Sequence, residues 1–178
     1  MKMLSMLFIT IILCYSTLLI ANDAKKNYRP VEKTLMVKLV QLQDNQGLKY
    51  IGALVPMVDL APYLAQMKTQ LTTDFADYRH NQVSRDHGQF HMTLINPYEY
   101  QVIDQSKISV GETVTITLKG LGRVAQDSKE TYFVVVESNI AQLYRQKIAL
   151  NGKDFHVTLG FKPQDIYGVS KGAERLIH

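Results

Sequence analysis

The phrase Phe-His-x-Thr-Leu occurs twice in the chain, as "FHMTL" at 90–94 and as "FHVTL" at 155–159. Each copy has the alternating apolar pattern of a half-buried strand, with a histidine and a threonine set into its polar positions. Successive side chains of a strand point to opposite faces. His91 and Thr93 therefore share one face, and Phe90, Met92 and Leu94 share the other. The same holds for His156 and Thr158 against Phe155, Val157 and Leu159. One face anchors each strand in a core, and the other presents an imidazole and a hydroxyl. A single such triplet reads as a structural histidine, whereas the same five-residue frame written twice points to two strands in equivalent positions.

The context of the phrase is repeated as well. "TLMVKLVQL" (34–42) and "LKYIGALV" (48–55) are strand-like runs around "QDNQG", a hairpin with Gly47 in its turn. Asp59 offers a helix N-cap and Pro62 fits a first turn. Leu60, Leu64, Met67, Leu71, Phe75 and Tyr78 then recur at the threes and fours of one amphipathic helix, a core stripe. The polar "HNQVSRDHGQ" (80–89) reads as a loop. In the second half, "ETVTITLKG" (112–120) is a half-buried strand, and "LGRVAQ" and "TYFVVVES" flank a turn at "DSKE". Asn139 caps a short helix with Ile140, Leu143, Tyr144 and Ile148 on one face, and Asn151-Gly152 ends it. Pro97 and Pro163 follow the two motifs. Both halves run strand, helix, motif strand, which is an α+β pattern. The expected fold is a single bilobal, pseudo-twofold domain over 34–178, with two antiparallel sheets facing a central cleft and helices on the outside.

Residues 1–24 stand apart. One lysine precedes an uncharged apolar run from Met3 to Ile20, and a polar stretch follows. This reads as a secretory signal peptide, implying a periplasmic or secreted protein. The alternative is an N-terminal membrane anchor formed by residues 3–20, since the run is long enough to span. Residues 25–33 form a linker. Cys14, the chain's one cysteine, lies in the leader, so the remainder has no disulfide, no thiolate nucleophile and no cysteine-based zinc site. With 46% apolar and 20% charged residues the rest is globular rather than disordered. A net charge of +4 tolerates a phosphate-bearing partner without requiring one. No stable protein partner is implied, and the chain reads as a monomer.

If the two lobes face each other, the two His-Thr pairs converge. Displacement at a phosphodiester proceeds in line, so one proton leaves the attacking oxygen while another reaches the departing oxygen on the opposite side. Histidine is the side chain whose ordinary pKa lets one copy be neutral and another protonated near neutral pH. Threonine hydroxyls can donate to the non-bridging oxygens, where negative charge builds. No cofactor and no metal is called for.

Two H-x-[ST] motifs on matching strands are the hallmark of the two-histidine (2H) phosphoesterase superfamily, and "HMTL" and "HVTLGF" resemble both. The resemblance spans residues 34–165. The tail "HVTLGFKPQDIYGVSKG" is similar to RNA-repair-like members, while "INPYEY" after the first motif departs from the Phe-Leu-Gly of the bacterial RNA-ligase-like branch. The resemblance implies that His91 and His156 are the acid/base pair and that Thr93 and Thr158 bind the phosphate. It implies a nucleotide or RNA-end substrate with a 2′,3′-cyclic phosphate or related ribose phosphodiester. Phe161 and Tyr167 are the candidates for base stacking, ahead of Tyr132 and Phe133, which alternate between core and cleft. Lys162 and Lys171 could steer phosphate but read first as solvated surface lysines. His80 and His178 have no assigned role. The rival readings are a nucleotide- or RNA-binding module without turnover, and a metal protein built on His87, His91 and His156.

Overall fold

A computed structural model describes residues 32–177. The expected leader, nearly all of the linker, Cys14 and His178 lie outside the described residues. The first half comprises β1 (Lys33–Gln43), β2 (Lys49–Leu54), α1 (Met57–Leu71), α2 (Phe75–Asp86), β3 (His91–Ile95) and α3 (Pro97–Val102). The second comprises β4 (Thr113–Gln126), β5 (Lys129–Glu137), α4 (Asn139–Lys147) and β6 (Phe155–Lys162). Two strands, a helical segment and a motif strand thus occur twice in the same order. Among the described residues no helix is long and apolar enough to cross a membrane.

The strands pair antiparallel in the order β1-β2-β3-β6-β5-β4 and close into one barrel. This corrects the expectation of two separate sheets across a gap. The reason lies in β1, which is long enough to serve both halves. Lys33 to Lys38 pair with β4, and Leu39 to Gln43 pair with β2 in the hairpin that turns at Gly47. The opposite seam joins β3 to β6 in register at Met92 and Val157.

The helices depart from the sequence pattern in three places. The stripe from Leu60 to Tyr78 is broken by a 3-10 turn at Thr72–Asp74, with Thr72 at a φ of 49°. Adjacent β-branched threonines with competing hydroxyls are poor helix formers there. The "loop" from His80 is instead helix as far as Asp86, because Tyr78 and Gln82 bury one side of it. Asp59 is not the cap of α1; the helix starts after Pro56, and Asp59 pairs with Lys33 at 2.6 Å. Ser138 rather than Asn139 caps α4, accepting from Ala141 N at 3.0 Å and donating to Thr115 O at 2.6 Å.

One face of the strands carries Leu39, Ile51, Ala53, Met92, Leu94, Val134, Val157 and Leu159, all fully buried. Leu60, Tyr63 and Met67 of α1, Tyr78 of α2, and Ala141 and Tyr144 of α4 pack into the same cluster. The buried side of α4 is therefore Ala141, Tyr144 and Arg145; of the predicted face, Tyr144 and Ile148 are buried while Ile140 and Leu143 are exposed. Arg145 is only 2% exposed. Its guanidinium donates to Leu94 O (2.7 Å), Asn151 O (2.7 Å) and both carboxylate oxygens of Glu99 (2.7 and 3.0 Å). Glu99 also accepts from Asn96 N in the capping box of α3. Arg145 thus ties α4 to the end of β3.

Replacing it with a neutral side chain strands a carboxylate and two carbonyls. Arg145→Met is expected to lower stability by about 3–5 kcal/mol. Lys147→Met, on the exposed side of α4, serves as the control and should leave the urea midpoint unchanged.

Candidate active site

The β3–β6 seam fixes the site. Met92 and Val157 lie opposite each other with both side chains buried in the main core. Antiparallel register carried one residue either way sets His91 across from Thr158 and Thr93 across from His156. All four side chains therefore share the face turned away from the core. They line one cleft of about 1220 Å³. Both histidines and Thr93 are half-buried, and Thr158 is buried.

The two imidazoles have different surroundings. His91 Nε2 lies 3.3 Å from the Tyr50 hydroxyl, and their rings are 5.6 Å apart. Burial lowers the His91 pKa from its ordinary value, partly opposed by the carboxylates of Asp86 and Asp165. His156 is packed edge-on against the Phe133 ring, 5.6 Å between centroids. Its Nδ1 is buried with no hydrogen-bond partner. Burial, then the Lys171 cation, drive its pKa well below the usual imidazole range. The Asp165 carboxylate and the Asp154 backbone favour the imidazolium but do not offset its desolvation and the Lys171 charge, so the neutral ring is favoured.

Phe133 can lie there because its register partner is Gly122. A Cβ on Gly122 would stand 2.6 Å from the Phe133 ring. A side chain on β4 would push that ring toward His156. Phe133 sits with Val124, Val135 and Ile166 in a second, smaller apolar cluster. Tyr132 points into the main core, so the pair alternates in face as expected, but Phe133 is buried in the smaller cluster instead of lining the cleft.

Of the other residues read from the sequence, Tyr167 is at the cleft. It is 73% exposed, with its hydroxyl 3.3 Å from an Arg85 nitrogen. Phe161 does not line this cleft. β6 carries an extra residue at Leu159, so that Phe133 pairs Thr158 while Tyr132 pairs Gly160. That bulge puts Phe161, opposite Thr131, on the same face as Thr158 opposite Phe133, but farther along the strand, where it borders a neighbouring cavity of about 670 Å³. Its ring is buried beneath Arg85, with the guanidinium carbon 4.7 Å from the centroid. A base would find that face occupied. Lys162 is a surface lysine paired with Asp77 at 2.8 Å. Lys171 is not on the surface, being 4% exposed. His87 lines the cleft in the left-handed conformation after α2. Among the described residues no group of three or more His, Cys, Asp or Glu is arranged to hold a metal.

The charged wall of the cleft was not legible in the sequence. Asp165, which is buried, accepts from Thr131 Oγ1 (2.9 Å), Ile166 N (2.8 Å), Lys171 Nζ (3.0 Å) and Arg85. Burial alone would raise its carboxyl pKa, but Lys171 and Arg85 hold it below the ordinary value. Arg85 also grips Asp86, with two nitrogens at 2.7 Å. Tyr98, 74% exposed after Pro97, joins Tyr50 and Tyr167 as a third tyrosine in the cleft lining. These residues come from α2, β5, α3 and the tail, and no spacing in the chain links them.

Comparison with the curated proteins and with the solved structures gives no match. Residues 49–167, well over half of the chain, match the family described as "Swiss Army Knife, 2H phosphoesterase domain". The matched segment contains both His-Thr pairs, the strands that present them, and Arg85, Asp86 and Asp165 of the charged wall, while Lys171 lies beyond it. The chain belongs to the 2H phosphoesterases, a family whose chemistry is phosphodiester cleavage.

Proposed function

We propose that the protein is a phosphodiesterase that opens 2′,3′-cyclic phosphates, or closely related ribose phosphodiesters, in nucleotides or at RNA ends, without a metal. The observation that carries this reading is the meeting of His91, Thr93, His156 and Thr158 on one face of the β3–β6 seam, at a single cleft. A phosphorus atom seated over that seam has an imidazole on either side, the arrangement that in-line displacement needs.

The unequal surroundings of the rings suggest their roles. His156, kept neutral by burial and by Lys171, is the base: it takes a proton from the attacking water as the new P–O bond forms. His91, with Asp86 and Asp165 favouring its charged form and a substrate anion adding to them, is the acid. It gives its proton to the ribose oxygen as the old P–O bond breaks. Thr93 and Thr158 donate to the non-bridging oxygens. Tyr167, exposed at the rim, offers a face for a base to stack on.

Turnover of 2′,3′-cyclic nucleotides and 2′-5′ linked oligonucleotides, followed with and without chelator, tests this. The expected outcome is chelator-resistant turnover, with kcat/KM lower by about 10²–10⁴-fold in His91→Ala and in His156→Ala. Thr93→Val and Thr158→Val should each cost about 10²–10³-fold in kcat. Ligand binding without turnover by the unaltered protein would make it a binding module, and loss with chelator would make it a metal enzyme.

The pH profile gives a second check. Burial lowers both histidine pKa values, so the neutral base survives to lower pH and the protonated acid is lost at lower pH. The bell in kcat/KM is therefore expected to centre below about 6.5, the ordinary imidazole value. Its alkaline limb should lie at higher pH in kcat, because the bound anion favours the protonated acid. A bell centred above 6.5 contradicts the assignment of these two rings.

A further inference from the structure

Lys171 belongs to neither motif. The segment after β6 that carries it is held by Asp165 and by the backbone bond from Ile177 N to Leu121 O (2.8 Å). An ammonium has three donors, and Asp165 Oδ1, at 3.0 Å, is the one acceptor Lys171 has in the structure. Its other neighbours are aromatic faces: the Phe133 ring at 5.7 Å and the Tyr167 ring at 6.0 Å. The same Phe133 ring abuts His156, and both Lys171 and His156 line the cleft. Two N–H donors and the buried Nδ1 of His156 are thus left without partners in one place. Buried polar groups in that state call for an occupant rich in acceptors.

We propose that Lys171, held on Asp165, is a third group acting on the substrate: its ammonium donates to a non-bridging phosphoryl oxygen on the His156 side of the cleft. This rests on the phosphodiesterase reading for its substrate, but the anion site itself does not. Asp165 has two roles here. It offsets the burial of the cation, and it aims one of the three donors away, leaving the remaining two for the ligand. Burial lowers the Lys171 pKa, opposed chiefly by Asp165, so the carboxylate favours the charged state that binding requires. The oxygens of a phosphodiester gain charge in the transition state, and a desolvated cation acts on that charge more strongly than a hydrated one.

The cation also tunes the base. The charged groups acting on His156 are Lys171 and Asp165 from the tail and Lys153 from the segment before β6. β5 contributes only Phe133 and Val135 beside it. Removing the Lys171 charge raises the His156 pKa, so the acid limb of kcat/KM moves to higher pH.

The test uses Lys171→Met, Lys171→Arg, and the double variant Lys171→Met with Asp165→Asn, which avoids an under-paired buried carboxylate. Inorganic phosphate binding is measured by calorimetry beside turnover of a 2′,3′-cyclic nucleotide. The expected result is a loss of about 10²-fold or more in kcat for both Met variants. The acid limb shifts upward, phosphate binding weakens by at least ~10-fold, a loss of the order set by ~1.4 kcal/mol per decade, and Lys171→Arg recovers part of each. A purely structural lysine would lower the melting temperature and leave the acid limb and phosphate affinity of the folded fraction unchanged, which overturns the proposal. Unaltered protein that lacks turnover but binds phosphate through Lys171 would remove the phosphodiesterase reading and keep the anion site. Turnover and phosphate binding that both survive in Lys171→Met would do the reverse.

Discussion

The apolar sides of β3 and β6 meet at Met92 and Val157, and this shared burial orients everything on the opposite side of the two strands. Because strand side chains alternate, burying these two residues in one core leaves His91, Thr93, His156 and Thr158 no choice of face. A slip of one residue in either strand would send one His-Thr pair into the core and bring a phenylalanine or leucine into the cleft. The energetic penalty of such a slip, rather than any attraction between the four polar groups, is what holds the pairs together. The antiparallel sense matters too: it sets each histidine beside the threonine of the other motif, so each half of the duplicated frame completes the other's site.

Two buried ionic centres hold the surroundings of that seam. Arg145 joins α4, the start of α3 and the last part of β3, and Asp165 joins α2, β5 and the tail. Buried ion pairs add little net stability once desolvation is counted, yet breaking one is costly. Their effect here is positional. Each centre joins segments far apart in the chain, and the Asp165 centre itself lines the cleft. The asymmetry of the site follows from it. The duplicated motifs would give equivalent imidazoles, but Lys171 stands beside His156, while His91 faces the Tyr50 hydroxyl and the nearby Asp86.

Much of this was legible from residue order. The hairpin at Gly47, the motif strands, the ββαβ repetition and the parity of the His-Thr face follow from alternation and turn chemistry, which are local. The failures share a cause as well. Ile140 and Leu143 are as apolar as a core face requires, yet α4 turns Ala141 and Arg145 inward, because Glu99 and the Leu94 carbonyl wait there. The stretch from His80 to Asp86 is polar enough for a loop, but Gln82 and Arg79 find partners across α2, Gln89 and β6. The bulge at Leu159 adds one residue and reverses parity without any mark in the sequence, so that Phe161 shares the face of Thr158 instead of the core side that strict alternation gives it.

Alternation and repetition by themselves determined that this chain places two imidazoles and two hydroxyls on the solvent-facing sides of two matched strands, since side-chain direction along a strand depends only on neighbouring residues. Tertiary structure alone decided that the halves close into one ring through β1, and which cations and carboxylates stand beside each histidine. Those outcomes depend on contacts between segments some eighty residues apart, such as Arg85 with Asp165, and on desolvation, which exists only once the chain has folded.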